Sequence, residues 1–218
     1  MRNKINIAID GPSGVGKSTI ADILADKFSM THLDTGAMYR CVAYYLLKNK
    51  ININNSSKLI EGLKQIHIEF IDGKIYLNSE DVSEHIRTNE ISMYASKTSA
   101  LPEVRNKLVS LQQEMAKEKG YILDGRDICT VVLPNAELKI YMDADSKARA
   151  QRRYKEYVDK GIEANFETIY KDIVQRDYQD SHREISPLVK ADDAIIVDTS
   201  NKTIDQVVNQ ISNYINKF

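Results

Sequence analysis

The sequence predicts an α/β protein: a parallel sheet covered by helices, carrying a small inserted lobe. Three observations support that prediction. Short β-branched runs alternate with helical patterns along most of the chain, as a parallel sheet with crossover helices requires. A glycine-rich stretch at residues 11–19 joins the first apolar run to the first amphipathic one. One segment breaks the alternation, with two strand patterns meeting across Asp72-Gly73, a strong hairpin signal.

Residues 4–10 alternate Ile5, Ile7 and Ile9 with smaller or polar residues and are expected as the first strand. Residues 17–28 place Ile20, Ile23, Leu24 and Phe28 on one helical face. A short strand at 31–33 leads to a helix at 37–48. The hairpin pairs Ile66-His67-Ile68-Glu69-Phe70-Ile71 with Lys74-Ile75-Tyr76-Leu77. Its lobe is set at residues 57–95, leaving 1–56 and 96–218 as the core. Fold physics leaves two readings of it open, a substrate lid or a surface insertion. The longest helix is expected at 102–119, with Val104, Leu108, Leu111 and Met115 as its stripe, Pro102 in its first turn and Gly120 at its end. Strands are expected at 121–123, 138–142 and 194–197, and helices at about 146–160, 166–181 and 204–217. The last helix carries Ile204, Val207, Val208, Ile211 and Ile215, a stripe suited to docking on the sheet.

A chain of 218 residues buries ~70% of its unfolded surface and needs no staples. Its 42% hydrophobic and 28% charged residues exclude a disordered chain. The longest apolar run, residues 42–47, is far short of the ~20 that span a bilayer. Met1-Arg2-Asn3-Lys4 is basic, but Asp10 interrupts the apolar stretch behind it, so no signal peptide is expected. Thirty basic side chains against 31 acidic ones, a net charge of -1, argue against a nucleic-acid coat. Cys41 and Cys129 form at most one bridge, which fits a reducing compartment. The expectation is a cytoplasmic monomer acting on small molecules, with neither nucleic acid nor membrane as partner.

The sharpest motif is Gly11-Pro12-Ser13-Gly14-Val15-Gly16-Lys17-Ser18-Thr19, which fits G-x-x-x-x-G-K-[ST] between a strand and a helix. Glycines let the backbone curl so that successive N–H groups face phosphate, and the helix adds its positive N-terminal end. Lys17 is expected on the β and γ phosphates of a nucleoside triphosphate, and the Ser18 hydroxyl in a Mg²⁺ shell. Asn201-Lys202-Thr203-Ile204-Asp205 comes close to a guanine-reading motif, but Ile204 stands where its carboxylate belongs. A small-molecule kinase fits the compact chain, with a non-enzymatic nucleotide switch as the competing class.

Arginines cluster in Asp34-Thr35-Gly36-Ala37-Met38-Tyr39-Arg40, in Asp124-Gly125-Arg126-Asp127, and in residues 176–183. The first two directly follow strands, where parallel sheets bind their ligands. Arg176, Asp180 and Arg183 share one face of the penultimate helix, opposite Phe166, Ile169, Tyr170, Ile173 and Val174. On spacing alone that face reads as a solvated salt-bridge surface, worth little energetically.

Taken in order, the phosphate loop, Asp34-Thr-Gly-Ala-Met-Tyr-Arg40, Asp124-Gly-Arg-Asp127 and Arg183-Glu-Ile-Ser-Pro-Leu188 resemble bacterial cytidylate kinases, over essentially the whole chain. The resemblance implies a five-stranded parallel P-loop kinase core, a monophosphate-binding lobe and a lid at residues 149–165. It implies ATP as phosphoryl donor with Mg²⁺, and CMP and dCMP as acceptors. It puts Arg40 and Arg126 on the acceptor phosphate and Arg183 beside the transferring group, with Lys17, Arg126 and Arg183 catalytic. Ser96, Arg105 and Asp127 would read cytosine, while Arg176 and Asp180 hold the sugar. Thr35 keeps the hydroxyl where the family often has Ser. Asp124 would orient waters of the Mg²⁺ shell, and Arg149, Arg152 and Arg153 of the lid would close on ATP. Gln179 and Cys129 depart from the family pattern, Cys129 standing at a common glycine position. A UMP or dTMP kinase is the neighbouring alternative.

Overall fold

The computed structural model describes residues 4–71 and 73–218. Asp72 of the expected hairpin turn and Met1, Arg2 and Asn3 of the basic start lie outside them. In chain order the elements are β1 (Ile7–Asp10), α1 (Lys17–Phe28), β2 (Thr31–Asp34), α2 (Thr35–Lys48), α3 (Ser56–Lys64), β3 (Ile68–Ile71), β4 (Lys74–Leu77), β5 (Glu80–Asp81), α4 (Asn89–Thr98) and α5 (Pro102–Met115). They continue with β6 (Tyr121–Gly125), β7 (Leu138–Asp143), α6 (Ser146–Asp159), α7 (Phe166–His182), β8 (Ile195–Asp198) and α8 (Ile204–Ile215).

Five strands form one sheet in the order β2-β6-β1-β7-β8. Central β1 pairs in parallel with β6 on one side and β7 on the other, and β7 pairs in parallel with β8. Buried on both faces, β1 has Ile7, Ala8, Ile9 and Asp10 all at 0% exposure, which is why its sequence is a near-continuous apolar run. The register sets Ile9 beside Asp124 and Asp10 beside Gly125, so the carboxyl ends of β1 and β6 finish level.

The chain divides into two compact units, Met1–His32 with Ala116–Phe218, and Leu33–Met115. In the first unit Ile7, Ile9, Leu24, Ile140, Met142, Val197 and Ile211 belong to one apolar core. Helix α8 contributes Val207, Val208, Ile211 and Ile215 to it, beginning in a capping box between Thr203 and Gln206. Two expected core residues are not in it. Ile204, the first residue of α8, is 51% exposed, and Ile23 on α1 is 38% exposed, each at the edge of its helix stripe.

The second unit extends beyond residues 57–95, because α2, α4 and α5 pack together within it. It holds the antiparallel sheet β3-β4-β5, with Ile71 paired opposite Lys74. Helices α3 and α4 are nine and ten residues long and fall where no helix is expected from the sequence. Side-chain caps start them: Asn55 accepts from the Lys58 amide and Thr88 from the Ile91 amide. On α5 the fully buried position after Leu108 is Gln112, while Met115 is half-buried.

Candidate active site

The phosphate loop runs from the end of β1 into α1, as its motif predicts. Gly11, Gly14 and Gly16 have φ of 149°, 76° and 96°, a curl that L side chains resist. At Gly11 a Cβ would lie 2.1 Å from the Met142 carbonyl oxygen, so glycine alone lets the loop cross the end of β7. Lys17 is buried, donating to the Gly11 carbonyl at 2.8 Å and the Pro12 carbonyl at 2.9 Å. Burial, then the charge of Arg126, pushes its pKa down to about 7. Ser13 and Val15 are buried, and their carbonyls accept from Arg149 Nη1 at 2.9 Å and Thr199 Oγ1 at 3.3 Å. Thr19 is exposed on the first turn of α1.

Ser18 Oγ donates to Asp124 Oδ2 at 2.9 Å. Hydroxyl and carboxylate are hard oxygen donors of the type Mg²⁺ takes. Among the described residues there is no group of three or more His, Cys, Asp or Glu side chains that could hold a metal ion. Ser18 and Asp124 therefore fit an ion that brings most of its shell as water and phosphate oxygen. The second oxygen of Asp124 is taken by His32, whose Nε2 lies 2.7 Å away, while His32 Nδ1 lies 2.6 Å from Asp22. Burial opposes a charge on His32, but its hydrogen bonds to Asp124 and Asp22 outweigh that and push its pKa up to about 10. Burial likewise opposes the Asp124 charge, which His32 and Lys17 hold below the usual carboxylate range. No sequence motif pointed to His32; it is a lone histidine in a short strand.

Asp10 closes the first strand and interrupts its apolar run. In the structure it is fully buried and accepts from the Ile128 amide at 2.9 Å and the Cys129 amide at 2.8 Å. These bonds hold a π-type turn over Ile128–Val132, which begins right after Arg126 and Asp127. Burial, reinforced by the Asp127 charge, pushes the Asp10 pKa up to about 6. Cys129 sits inside this turn, 2% exposed and outside the positive-φ positions, so the turn does not require glycine there. Burial holds its thiol far above its ordinary range, which makes it a packed side chain and not a nucleophile.

The Arg176–Arg183 face is not a solvated surface. Asp180 is 5% exposed and accepts from Arg126 Nε at 2.8 Å. Burial opposes its charge, and Arg126 ahead of Arg176 holds its pKa low. Arg183 Nη2 lies 3.6 Å from Asp127 Oδ1, and its Nε donates to the Ser186 carbonyl at 2.5 Å. The Leu188 amide then returns to the Asp180 carbonyl at 2.7 Å, folding the Arg183–Leu188 stretch back onto the end of α7. Arg176 is half-buried and Gln179 exposed on the same helix.

Of the expected lid arginines, Arg149 is 4% exposed and ties α6 to Ala144, Ser13 and Asp177. Arg152 is bonded to the Thr199 and Ser200 carbonyls. Arg153 stands over the Tyr157 ring at 5.8 Å. In the second unit, Asp34 caps α2 through the Ala37 amide at 2.8 Å and accepts from Arg40 Nη2 at 2.9 Å. Thr35 is buried at the start of that helix. Arg105 is 3% exposed, 5.8 Å from the Tyr39 ring, and donates to the Ser99 carbonyl at 3.4 Å. Ser96 is half-buried on α4, its carbonyl accepting from Ser99 Oγ.

Comparison with known proteins agrees with these motifs. The family model described as Cytidylate kinase matches residues 7–217. A protein named cytidylate kinase from Streptococcus pneumoniae (strain 70585) is 50% identical over 212 residues, covering 95% of each chain. An uncharacterized protein of known structure from Eubacterium ventriosum superposes with a TM-score of 0.57 at 13% identity, covering 99% of this chain and 100% of that one. Shikimate kinase from Bacteroides thetaiotaomicron gives 0.50 at 10% identity, covering 97% and 98%. Those two structures speak to the fold alone. The family match spans nearly the whole chain, phosphate loop and Asp-Gly-Arg-Asp motif included, and on that ground the chain belongs to the cytidylate kinase family.

Proposed function

We propose that the protein transfers the γ-phosphoryl group of ATP to CMP and dCMP, giving CDP or dCDP and ADP in the cytoplasm. The observation that carries this reading is the phosphate loop itself, with buried Lys17 donating to the Gly11 and Pro12 carbonyls and the Asp124-Gly125-Arg126-Asp127 segment running off the end of β6, the strand paired with β1.

The acceptor phosphate oxygen bonds to the γ phosphorus as the bond from that phosphorus to the β-bridging oxygen breaks, and ADP leaves. No covalent enzyme intermediate is needed, so the side chains work by positioning and charge stabilisation. The amides of Gly11–Thr19 and Lys17 hold the donor phosphates. Ser18, with Asp124 acting through water, would hold Mg²⁺, which neutralises charge on the β and γ phosphates. Arg126 and Arg183 stabilise the transferring group, a contribution of ~10³–10⁵ in rate for a well-placed arginine. Arg40 binds the acceptor phosphate; Ser96, Arg105 and Asp127 read cytosine; Arg176 and Asp180 hold the sugar beside Thr35. Residues 57–95 serve as the monophosphate lobe and 149–165, with Arg153, as the lid over ATP, in a monomer.

The test is ADP release measured across CMP, dCMP, UMP, dTMP and AMP. CMP and dCMP are expected to stimulate it most. Equal or greater stimulation by UMP or dTMP overturns the acceptor assignment, and no stimulation by any monophosphate overturns the kinase reading.

A further inference from the structure

His32 lies at the end of a hydrogen-bonded chain that stops at the phosphate loop. Its ring bridges two carboxylates on different elements, Asp22 on α1 at 2.6 Å and Asp124 on β6 at 2.7 Å. Asp124 passes the chain on to the Ser18 hydroxyl, 2.9 Å from its other oxygen. The His32 side chain is 10% exposed and that of Asp124 5%, whereas Asp22 is 68% exposed. Nε2 is the ring nitrogen that faces Asp124, and an imidazole N–H there donates to the carboxylate oxygen.

This arrangement fixes the carboxylate rotamer of Asp124, because one oxygen is committed to His32 and the other accepts from Ser18. The effect needs no contact between His32 and a nucleotide.

We propose that His32 is a positioning residue for the divalent cation that accompanies the nucleotide, holding Asp124 in the orientation from which it serves the metal's water shell together with Ser18. The inference rests on the assignment of Ser18 and Asp124 to that cation. Side chains that orient a metal's partners typically change its affinity by about 10–100-fold when removed. The conservative replacements are unequal here, since Gln places an amide nitrogen near the position of Nε2 and Asn near that of Nδ1. Only Gln therefore reaches Asp124.

The test is equilibrium binding without turnover. Mn²⁺ is titrated into wild type, His32→Asn, His32→Leu and His32→Gln with saturating ADP and followed by electron paramagnetic resonance. ADP affinity is measured separately with chelator present. His32→Asn and His32→Leu are expected to weaken Mn²⁺ binding by about 10-fold or more, while His32→Gln stays within about threefold of wild type and metal-free ADP affinity is unchanged throughout. Wild-type Mn²⁺ affinity in either folded donor-lacking variant overturns the proposal. So does a loss in His32→Gln as large as in His32→Asn, or an equal loss of metal-free ADP binding, since each marks a merely structural residue. Should one donor-lacking variant fail to fold, the other against His32→Gln decides. Absence of Mn²⁺-dependent binding in wild type would instead overturn the assignment of Ser18 and Asp124.

Discussion

Arg126 Nε donates to Asp180 Oδ2 at 2.8 Å, joining the segment after β6 to the last turns of α7. Both partners are mostly shielded from water, with side chains 18% and 7% exposed. The bond makes Asp180 a brace for Arg126, in addition to the sugar-binding role proposed for it. Asp180→Ala is expected to strand the guanidinium and destabilise the fold by ~3 kcal/mol, the low end for breaking a buried pair. kcat/KM for CMP and dCMP should fall by about 10-fold or more, the equivalent of one charged hydrogen bond, with ATP affinity within about twofold of wild type by the same criterion. Urea unfolding and steady-state kinetics check this. Unchanged kinetics with both acceptors would leave Asp180 as a structural brace alone.

The phosphate loop makes an unequal demand on its glycines. An alanine at Gly11 would set its Cβ 2.1 Å from the Met142 backbone oxygen, whereas at Gly16 nothing lies within 4 Å of that position. Gly16→Ala then costs only the strain of a φ of 96°, ~1–2 kcal/mol. Gly11→Ala must displace the end of a central strand and should cost ~4 kcal/mol or more. Denaturant midpoints of the two variants give the comparison. Similar midpoints would mean that β7 yields easily at Met142.

Asp10 makes stability depend on pH in a direction opposite to most carboxylates. Its folded pKa of about 6 lies above the 3.8 of an ordinary aspartate, so the folded state binds its proton more tightly than the unfolded chain does. Stability from this group is full below the unfolded value and is lost as pH rises through about 6. Against Asp10→Asn, which does not titrate, wild type should lose ~2 kcal/mol of relative stability between about pH 4.5 and 7.5. Unfolding of both proteins at the two pH values isolates that difference. A constant difference, or a gain toward neutral pH, would show that the amides of Ile128 and Cys129 outweigh burial.

Much of this was legible in the sequence because it rests on local signals. Helix α1 occupies residues 17–28 as its apolar spacing predicts, and the phosphate loop stands between β1 and α1 as its motif requires. Ile23 and Ile204 misled because a residue at the edge of a helix stripe looks the same in sequence whether neighbours cover it or not. Helices α3 and α4, of nine and ten residues, are too short for apolar spacing to set them apart from the loops around a hairpin, and side-chain caps at Asn55 and Thr88 start them. The contacts of the site are the least legible. Asp10 with Cys129 spans 119 positions, His32 with Asp124 spans 92, and Arg126 with Asp180 spans 54. Strand pairing and the packing of α7 bring such pairs together. The i,i+4 rule points from Asp180 to Arg176, whose charge does help hold the carboxylate ionised, but it is silent on Arg126, which follows β6 and donates to the same carboxylate.

Asp127 is where acceptor choice is expected to be decided. It is 4% exposed, and its backbone carbonyl caps the π-type turn through the Val131 and Val132 amides, at 2.9 and 3.2 Å. The Asp127 carboxylate faces Arg183, whose Nη2 lies 3.6 Å from Oδ1. Cytosine presents an amino donor at N4, which a carboxylate accepts. Uracil presents an O4 acceptor there, and a buried carboxylate facing it has no proton to share, a mismatch that discriminates strongly. Asp127→Asn keeps the shape and the backbone cap but can turn an amide donor toward the base. It is therefore expected to raise KM for CMP and to narrow the ratio of kcat/KM for CMP over UMP by about 10-fold or more. Because the turn's backbone bonds survive the change, a merely structural Asp127 would lower both efficiencies together and leave their ratio intact. A ratio equal to that of wild type would assign the carboxylate to Arg183 and remove it from base recognition.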